Sequence, residues 1–282
     1  MIVSTRPPEK SFHPKVLSVI IPAYNEIDSI AFLIARVTEV LPSVPKELVI
    51  VDDGSKDGTR EWLRETLEPL DAPIALATVS ESDGTFQMTP HAEDDTGRAP
   101  VTFQIVFHEA NKDKGGAVRT GLETATGDAM VIQDADLEYD PVDWKDMWNL
   151  IAERRVADVV FGSRFYGRPH RTLYFYHYLA NKLITFLFNL FYDQQVTDVE
   201  VCYKMFTRPV WETLALTSND FGFEIEFSAQ VARARHWRIY EVGIMYFGRT
   251  YAEGKKITWK DGVKALWYLV KFRFQKLPKR TA

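Results

Sequence analysis

Short apolar runs rich in β-branched residues alternate, from residue 16 to residue 162, with segments whose apolar positions recur at helical spacing. Residues 16–21 form one such run, stopped by Pro22, and residues 47–51 another, stopped by Asp52, Asp53 and Gly54. Both read as buried strands of a parallel sheet. Between them Ile30, Leu33, Ile34, Val37 and Leu41 put a helix over 27–41, so strand, crossover and strand make a βαβ unit. A helix over 59–67 follows, then strands over 74–79 and 101–108. Residues 80–100, polar and rich in Asp, Glu, Gly and Pro, read as a mobile loop or an extended hairpin tip. A helix over 114–126 stops at Gly127, and a strand over 129–133 runs straight into Asp134. A helix then runs from Pro141 to about Arg154, and a strand over 158–161 ends at Gly162 and Ser163. The alternation predicts an α/β fold, a doubly wound and mostly parallel sheet flanked by helices, with ligands at the carboxyl ends of its strands.

Composition narrows the classes. The 282 residues are 46% apolar and 13% aromatic, which allows a large core and excludes a disordered or fibrous chain. A net charge of −5 gives the whole chain no general attraction for phosphate backbones, so nucleic acid is not an expected partner. The charge is uneven, because ten Lys or Arg fall within 249–282 against Glu253 and Asp261 alone. A single cysteine, Cys202, excludes an intrachain disulfide framework, suits a reducing compartment, and is expected to be a small buried hydrophobe. Residues 1–14 carry Pro7, Pro8 and charges without an apolar core region, and read as a disordered lead-in rather than a signal peptide. The expected organisation is this lead-in, a main domain over 15–248, and a basic, aromatic segment over 249–282.

Acidic residues gather where the predicted strands end. Asp134 and Asp136 leave the sheet edge together, with Glu138 as a third oxygen donor. Hard oxygen ligands of this kind suit Mg²⁺ or Mn²⁺ bridging phosphates better than Zn²⁺, which prefers nitrogen and sulfur. A bare DxD is also a common turn or helix cap, so its place at a strand end is what singles it out. Asp52-Asp53-Gly54-Ser55 ends the second strand in the same way. One of its carboxylates can accept a hydrogen bond from the ring N–H of uracil or guanine; a turn capped by Ser55 or Asp57 is the bland reading. Pro22-Ala23-Tyr24-Asn25-Glu26 ends the first strand as a candidate wall of the same pocket. Residues 111–116 bring Lys112, Lys114 and two glycines to a helix start, a candidate diphosphate cradle without a Walker motif.

Five segments occur in order: Ser18-Val-Ile-Ile-Pro-Ala-Tyr-Asn-Glu26, Val49-Ile-Val-Asp-Asp-Gly-Ser55, Lys114-Gly-Gly-Ala-Val-Arg119, Asp134-Ala-Asp136 and Gly162-Ser-Arg-Phe165. Through them the chain resembles, over residues 16–258, the family 2 glycosyltransferases of the GT-A fold, and especially the dolichol- or polyprenyl-phosphate hexose (mannose or glucose) synthases. The resemblance implies an inverting, metal-dependent transfer of a hexose from a UDP- or GDP-sugar to a polyprenyl or dolichyl phosphate. It implies that Pro22, Tyr24, Glu26, Asp52 and Asp134 line the nucleotide pocket, with Lys114 in the cradle, and that Asp136 and Glu138 complete the metal site. Polyprenyl-phosphate members often carry Gln where this chain has Glu138, which adds negative charge at the metal. Arg164 is expected near the sugar phosphate or the acceptor phosphate, with Arg171 and Lys204 as further candidates. Arg249, Lys255 and Lys256 fall where an arginine and lysine loop closes over the diphosphate.

A lipid phosphate is already anionic at neutral pH and needs no strong base. Positioning and charge screening then carry the reaction, with Asp136 and Arg164 central. A hydroxyl acceptor would instead need a carboxylate to take its proton, and Asp198 or Glu200 is the candidate. A non-catalytic nucleotide-sugar-binding protein is a third reading, against which the intact Asp134 and Asp136 argue. Glu224 and Glu226 are expected to be structural or acceptor-side and stand outside the catalytic set.

Residues 173–192 are apolar or aromatic at fifteen of twenty positions, and His177, Asn181, Thr185 and Asn189 recur every fourth residue. That narrow polar stripe argues against a free-standing transmembrane span. It leaves an amphipathic helix at a membrane surface or lipid acceptor site, or a helix buried in the core or in a homo-oligomer contact. Trp259, Trp267, Tyr268, Phe272 and Phe274 interleave with lysines and arginines, a combination that favours an anionic bilayer interface. The expectation is a peripheral protein on the cytoplasmic face of a membrane.

Overall fold

The computed structural model describes residues 12–92, 97–250, 253 and 259–276. Strands β1 (Leu17–Ala23) and β2 (Lys46–Asp52) are buried at all but one of their positions, as the unbroken apolar runs require. Helix α1 (Ile30–Glu39) connects them, burying Ile30, Leu33, Ile34 and Val37. After α2 (Thr59–Thr66) come β3 (Ile74–Val79), β4 (Phe86–Pro90) and β5 (Val101–Phe107). β4 pairs antiparallel with β3, so the polar 80–100 segment contains a strand of a hairpin; residues 93–96 lie outside the described residues. Helix α3 (Asp113–Thr124) leads into β6 (Ala129–Ile132).

The helix expected from Pro141 divides into a 3₁₀ turn at Pro141–Asp143, α4 (Trp144–Trp148) and a π turn at Asn149–Glu153. Strand β7 (Val159–Ser163), helix α5 (Phe175–Tyr192), strand β8 (Lys204–Thr207), helices α6 (Arg208–Thr213) and α7 (Gly222–Ala234), strand β9 (Ile239–Gly243) and helix α8 (Trp259–Phe274) follow.

The strands form one nine-stranded sheet in the order β4-β3-β5-β2-β1-β6-β8-β7-β9. Its centre, β5-β2-β1-β6, is parallel throughout, while β8 is antiparallel to both β6 and β7. The fold is of the expected α/β class, and its sheet is parallel at the centre with antiparallel pairs at β3-β4, β3-β5, β6-β8 and β7-β8. The chain leaves β1 towards β2 on one side and returns beside it as β6 on the other, which opens a crevice at the carboxyl ends of β1 and β6.

Buried polar groups fasten this centre. The Glu47 carboxylate accepts from Ser18 Oγ (2.5 Å), Thr126 N (2.8 Å) and Thr126 Oγ1 (2.7 Å), joining β1, β2 and the turn before β6. Burial works to raise its pKa, but these hydrogen bonds outweigh it and hold the carboxyl below its ordinary range. Lys46 is buried too and donates to Leu41 O at 3.1 Å; burial, with Arg98 nearby, pushes its ammonium down to about 8.

Helix α5 turns its polar stripe inward. Thr185 Oγ1 accepts from Val199 N (3.2 Å), Asn189 Nδ2 donates to Val196 O (2.8 Å), and its Oδ1 accepts from Val196 N (3.1 Å). Ile184 and Phe188 are buried beside them, whereas Phe175, Leu179, Phe186 and Leu190 are each at least half exposed. Helix α8 packs against α5 and α7, with Ala265, Leu269 and Phe272 buried and Trp267 and Phe274 exposed. Tyr192 Oη donates to Leu269 O at 2.9 Å. Among the described residues no helix is long and apolar enough to cross a membrane.

At the start of α3, Gly115 faces the 218–220 loop so closely that an added Cβ would lie 2.6 Å from Ser218 O and 2.8 Å from both Asn219 O and Asp220 O. Gly115→Ala is therefore expected to cost about 1–3 kcal/mol of unfolding free energy by denaturant titration. Gly262→Ala, in α8 with nothing within 4 Å of the new methyl, should be neutral or stabilising by up to about 1 kcal/mol.

Candidate active site

Three strand ends meet at one cleft of about 990 Å³. From β1 it takes Pro22, Ala23, Tyr24 and Glu26; from the end of β2, Asp53; from the end of β6, Asp134, Asp136 and Glu138. Gln133 N donates to Ile20 O at 2.9 Å, which fixes the start of the acidic segment against β1. Non-glycine residues adopt left-handed backbone conformations around it: Asn25 (φ 57°), Asp113 (φ 63°) and Leu137 (φ 60°). Such conformations cost free energy and gather at functional sites. At Leu137 the turn brings Glu138 N to Asp136 Oδ1 at 3.1 Å.

Cations balance the acids. Lys114 Nζ lies 2.8 Å from Asp134 Oδ1 and 3.0 Å from its Oδ2, and Cys202 Sγ donates to Oδ1 at 3.1 Å. Burial works to lower the Lys114 pKa, but Asp134, Cys202 and Glu224 outweigh it and hold the ammonium well above its ordinary value. Arg249 spans the other two acids, with Nη2 2.5 Å from Asp136 Oδ2 and Nε 2.8 Å from Glu138 Oε1. Tyr246 Oη donates to Glu138 Oε2 at 3.0 Å. Burial, then the charges of Asp134 and Glu138, push the Asp136 carboxyl up to about 7 even with Arg249 in place. Among the described residues no three His, Cys, Asp or Glu side chains stand arranged to hold a metal, and Arg249 occupies the gap between two of the candidate ligands.

Of the residues singled out in the sequence, Pro22, Tyr24, Glu26, Lys114, Asp134, Asp136, Glu138, Arg164 and Arg249 line this cleft. Asp52 lies beneath the cleft, fully buried, held by Arg60 Nε at 2.6 Å and by Ser55 N at 3.3 Å; its neighbour Asp53 faces the cleft instead. Asp53 is held in turn by His108 Nδ1 (2.6 Å) and Lys112 N (2.9 Å). Asp198 is buried and gripped by Arg164, with Nε–Oδ2 and Nη2–Oδ1 both at 2.7 Å. Lys204 is buried and paired with Glu224 rather than turned to the cleft. Arg171 is outside the cleft, half exposed, and pairs with Glu253 at 2.7 Å. Lys255 and Lys256 lie outside the described residues.

The cleft also gathers Glu200, one of the two candidate bases for a hydroxyl acceptor, together with Cys202, Glu224 and Tyr139, which stood outside the catalytic set. Burial pushes Glu200 up to about 7, with Arg164 and Lys204 opposing and Asp198 and Glu224 reinforcing the shift. The far end of the cleft runs between Tyr176 and Leu183 of α5 and Val263 and Leu266 of α8. One cavity thus joins an acidic, cation-balanced floor to the two helices that expose apolar side chains.

A mixed α/β sheet with two spaced aspartates leaving β6 beside the end of β1 is the arrangement expected of the GT-A fold. The model of glycosyl transferase family 2 matches residues 18–87 and 83–214, and the chain belongs to that family. It is 27% identical over 220 residues to a low-salt glycan biosynthesis hexosyltransferase of Haloferax volcanii, covering 77% of this chain and about half (49%) of that protein. It is 27% identical over 248 residues to the undecaprenyl-phosphate mannosyltransferase of Micrococcus luteus, covering 84% of this chain and 85% of the relative. Its fold matches that of glucosyl-3-phosphoglycerate synthase from Mycobacterium tuberculosis, solved with Mn²⁺, UDP and glucosyl-3-phosphoglycerate, at a TM-score of 0.62 and 16% identity over 94% of this chain and 82% of that one.

Two variants test the electrostatics of the site. Arg164→Ala leaves the buried Asp198 carboxylate without its partner and should cost about 3–5 kcal/mol of unfolding free energy by denaturant titration. For Glu200 the folded pKa lies above the ordinary 4.5, so the stability it costs is fully present above about pH 7 and vanishes as pH falls to 4.5. Glu200→Gln should therefore melt higher than the parent at pH 8 and coincide with it near pH 4.5; equal differences at both pH values would contradict the assignment.

Proposed function

We propose that this chain transfers a hexose from a nucleotide sugar, UDP- or GDP-linked, to a polyprenyl phosphate at the cytoplasmic surface of a membrane. The observation that carries the reading is the continuity of the cleft from Asp134 and Asp136 to the apolar faces of α5 and α8. The similarity to the undecaprenyl-phosphate mannosyltransferase supports it. Tyr24 and Asp53 stand on the wall suited to the nucleobase, with Asp53 as acceptor for a ring N–H. Lys114, at the start of α3, neutralises diphosphate charge.

The all-oxygen set of Asp134, Asp136 and Glu138 fits a hard dication such as Mg²⁺ or Mn²⁺ once Arg249 swings away. Burial first, and then the charges of Asp134 and Glu138, raise the proton affinity of Asp136. Such an ion supplies charge neutralisation on the departing diphosphate. Arg249, released from the acids, is then placed to face phosphate oxygens. In the transfer itself, an acceptor phosphate oxygen forms the bond to the anomeric carbon. The bond from that carbon to the diphosphate breaks, and its electron pair leaves with the nucleoside diphosphate. An anionic oxygen needs no base, so the protein's part is to align the two phosphates and exclude water.

Helix α5 reverses the usual amphipathic order, with polar residues bonded inward and aromatic and aliphatic side chains outward. That arrangement suits immersion of Phe175, Phe186, Leu190 and Trp267 at a bilayer interface. Transfer to a hydroxyl acceptor is the second reading. Glu200, facing the cleft with a carboxyl titrating near 7, has the proton affinity of a general base for it.

Incubation with nucleotide sugars, Mn²⁺ and polyprenyl phosphate should yield a lipid-linked sugar, and Asp136→Ala should lower the rate at least about a hundredfold. Product formed on a soluble hydroxyl acceptor and never on the lipid would favour the second reading. Replacing Phe175, Phe186 and Leu190 by Ser should weaken binding to anionic vesicles at least about tenfold without lowering the melting temperature.

A further inference from the structure

The first turn of α7 carries an unfinished polar contact into the cleft. One carboxylate oxygen of Glu224, Oε2, accepts from the buried Lys204 ammonium, which also donates to Val201 O. The other, Oε1, is buried and accepts no hydrogen bond among the described residues. The nearest cation to it is Lys114 Nζ at 3.8 Å, beyond hydrogen-bond reach, and that ammonium is already engaged with Asp134. Buried carboxylate oxygens are rarely left in this state, because the lost solvation is not returned. An occupant of the cleft can complete the contact.

The chemistry of that occupant is narrow. An ionised carboxylate only accepts, so its partner must be a donor. Lys204 behind it and Lys114 beside it disfavour a cationic donor, which leaves a neutral O–H or N–H. Its location narrows the choice again: Lys114 links Glu224 to Asp134, so Oε1 stands one ammonium group away from the floor proposed for the diphosphate. Asp53, on the wall assigned to the nucleobase, belongs to the end of β2. The ring attached to the diphosphate is the part of a nucleotide sugar that presents neutral hydroxyls at this place.

We propose that Glu224 Oε1 accepts a hydrogen bond from a hydroxyl of the transferred sugar, making Glu224 a specificity-determining residue and Lys204 the residue that positions it. The proposal rests on the nucleotide-sugar reading given above. A site built around a hydroxyl rejects a donor that lacks it far more strongly than an apolar pocket rejects a misfit.

The experiment is a cycle of protein and donor variants. Wild type and Glu224→Gln are compared on the preferred nucleotide sugar, its epimers and its monodeoxy analogues, with calorimetric binding of the nucleoside diphosphate alone as control. The expected result is a fall in kcat/KM of about a hundredfold or more for Glu224→Gln on the intact donor. One deoxy analogue should lose a similar factor with wild type and little further with the variant, while diphosphate binding stays within about twofold. Independent losses, multiplying in the variant at every deoxy position, would overturn the assignment of Glu224 while leaving the donor reading intact. Wild type that binds no nucleoside diphosphate would overturn the donor reading itself, and the assignment with it. Should Glu224→Gln fail to fold, the wild-type analogue series decides, because no single deoxygenation costing tenfold or more would also overturn the proposal.

Discussion

Negative charge gathered at the carboxyl ends of β1, β2 and β6 must be balanced inside a partly buried cleft, and the arrangement of the site follows from how this is done. Asp134, Asp136 and Glu138 come from one short segment, so their mutual repulsion cannot be relieved by moving apart. Lys114 answers Asp134 from the start of α3, and Arg249 answers Asp136 and Glu138 from beyond β9. The backbone enforces the clustering through the left-handed turn at Leu137 and the hydrogen bond from Phe247 N to Glu138 O at 2.9 Å. Arg249 is thus a resident counter-ion at the position that the proposed dication would take. Ion and arginine would compete for the same oxygens, which couples metal binding to movement of the segment carrying Arg249.

A second constraint lies in α5. A helix with this much apolar surface ordinarily turns it to the core, yet Thr185 and Asn189 need partners here, and the loop over 196–199 supplies them. Satisfying the polar stripe inward forces the aromatic face outward. Helix α8 continues that face, while Tyr192 and Arg233 hold its backbone carbonyls. The same two helices wall the far end of the cleft, so the exposed apolar face and the cleft share their supports.

Strands β1, β2 and β6 of the parallel centre were legible because each is a mainly apolar run stopped by Pro22, by Asp52-Asp53-Gly54 or by Asp134. The antiparallel insertion of β8 was not, since its four residues follow a polar stretch with no periodicity, and only pairing with β6 and β7 defines it. Among site residues, the placement of Asp134, Asp136 and Glu138 could be anticipated from a strand that ends in acids. The choice between Asp52 and Asp53 could not, because successive residues at a strand end point to opposite faces and Arg60 claims the first of them. Lys204 is expected, from the family resemblance, near the sugar phosphate or the acceptor phosphate. Its burial against Glu224, twenty positions away, depends on how β8 meets α7. The same holds for Asp198, whose grip by Arg164 joins residues separated by thirty-four positions. The stripe on α5 could be read, but not the direction in which it faces.

Calorimetric titration of nucleoside diphosphate in the presence and absence of Mn²⁺ tests the central claim most directly. If the clustered acids await a dication that displaces Arg249, Mn²⁺ should tighten binding at least about tenfold, corresponding to about 1.4 kcal/mol. Equal affinity with and without the ion would contradict the account of the cleft.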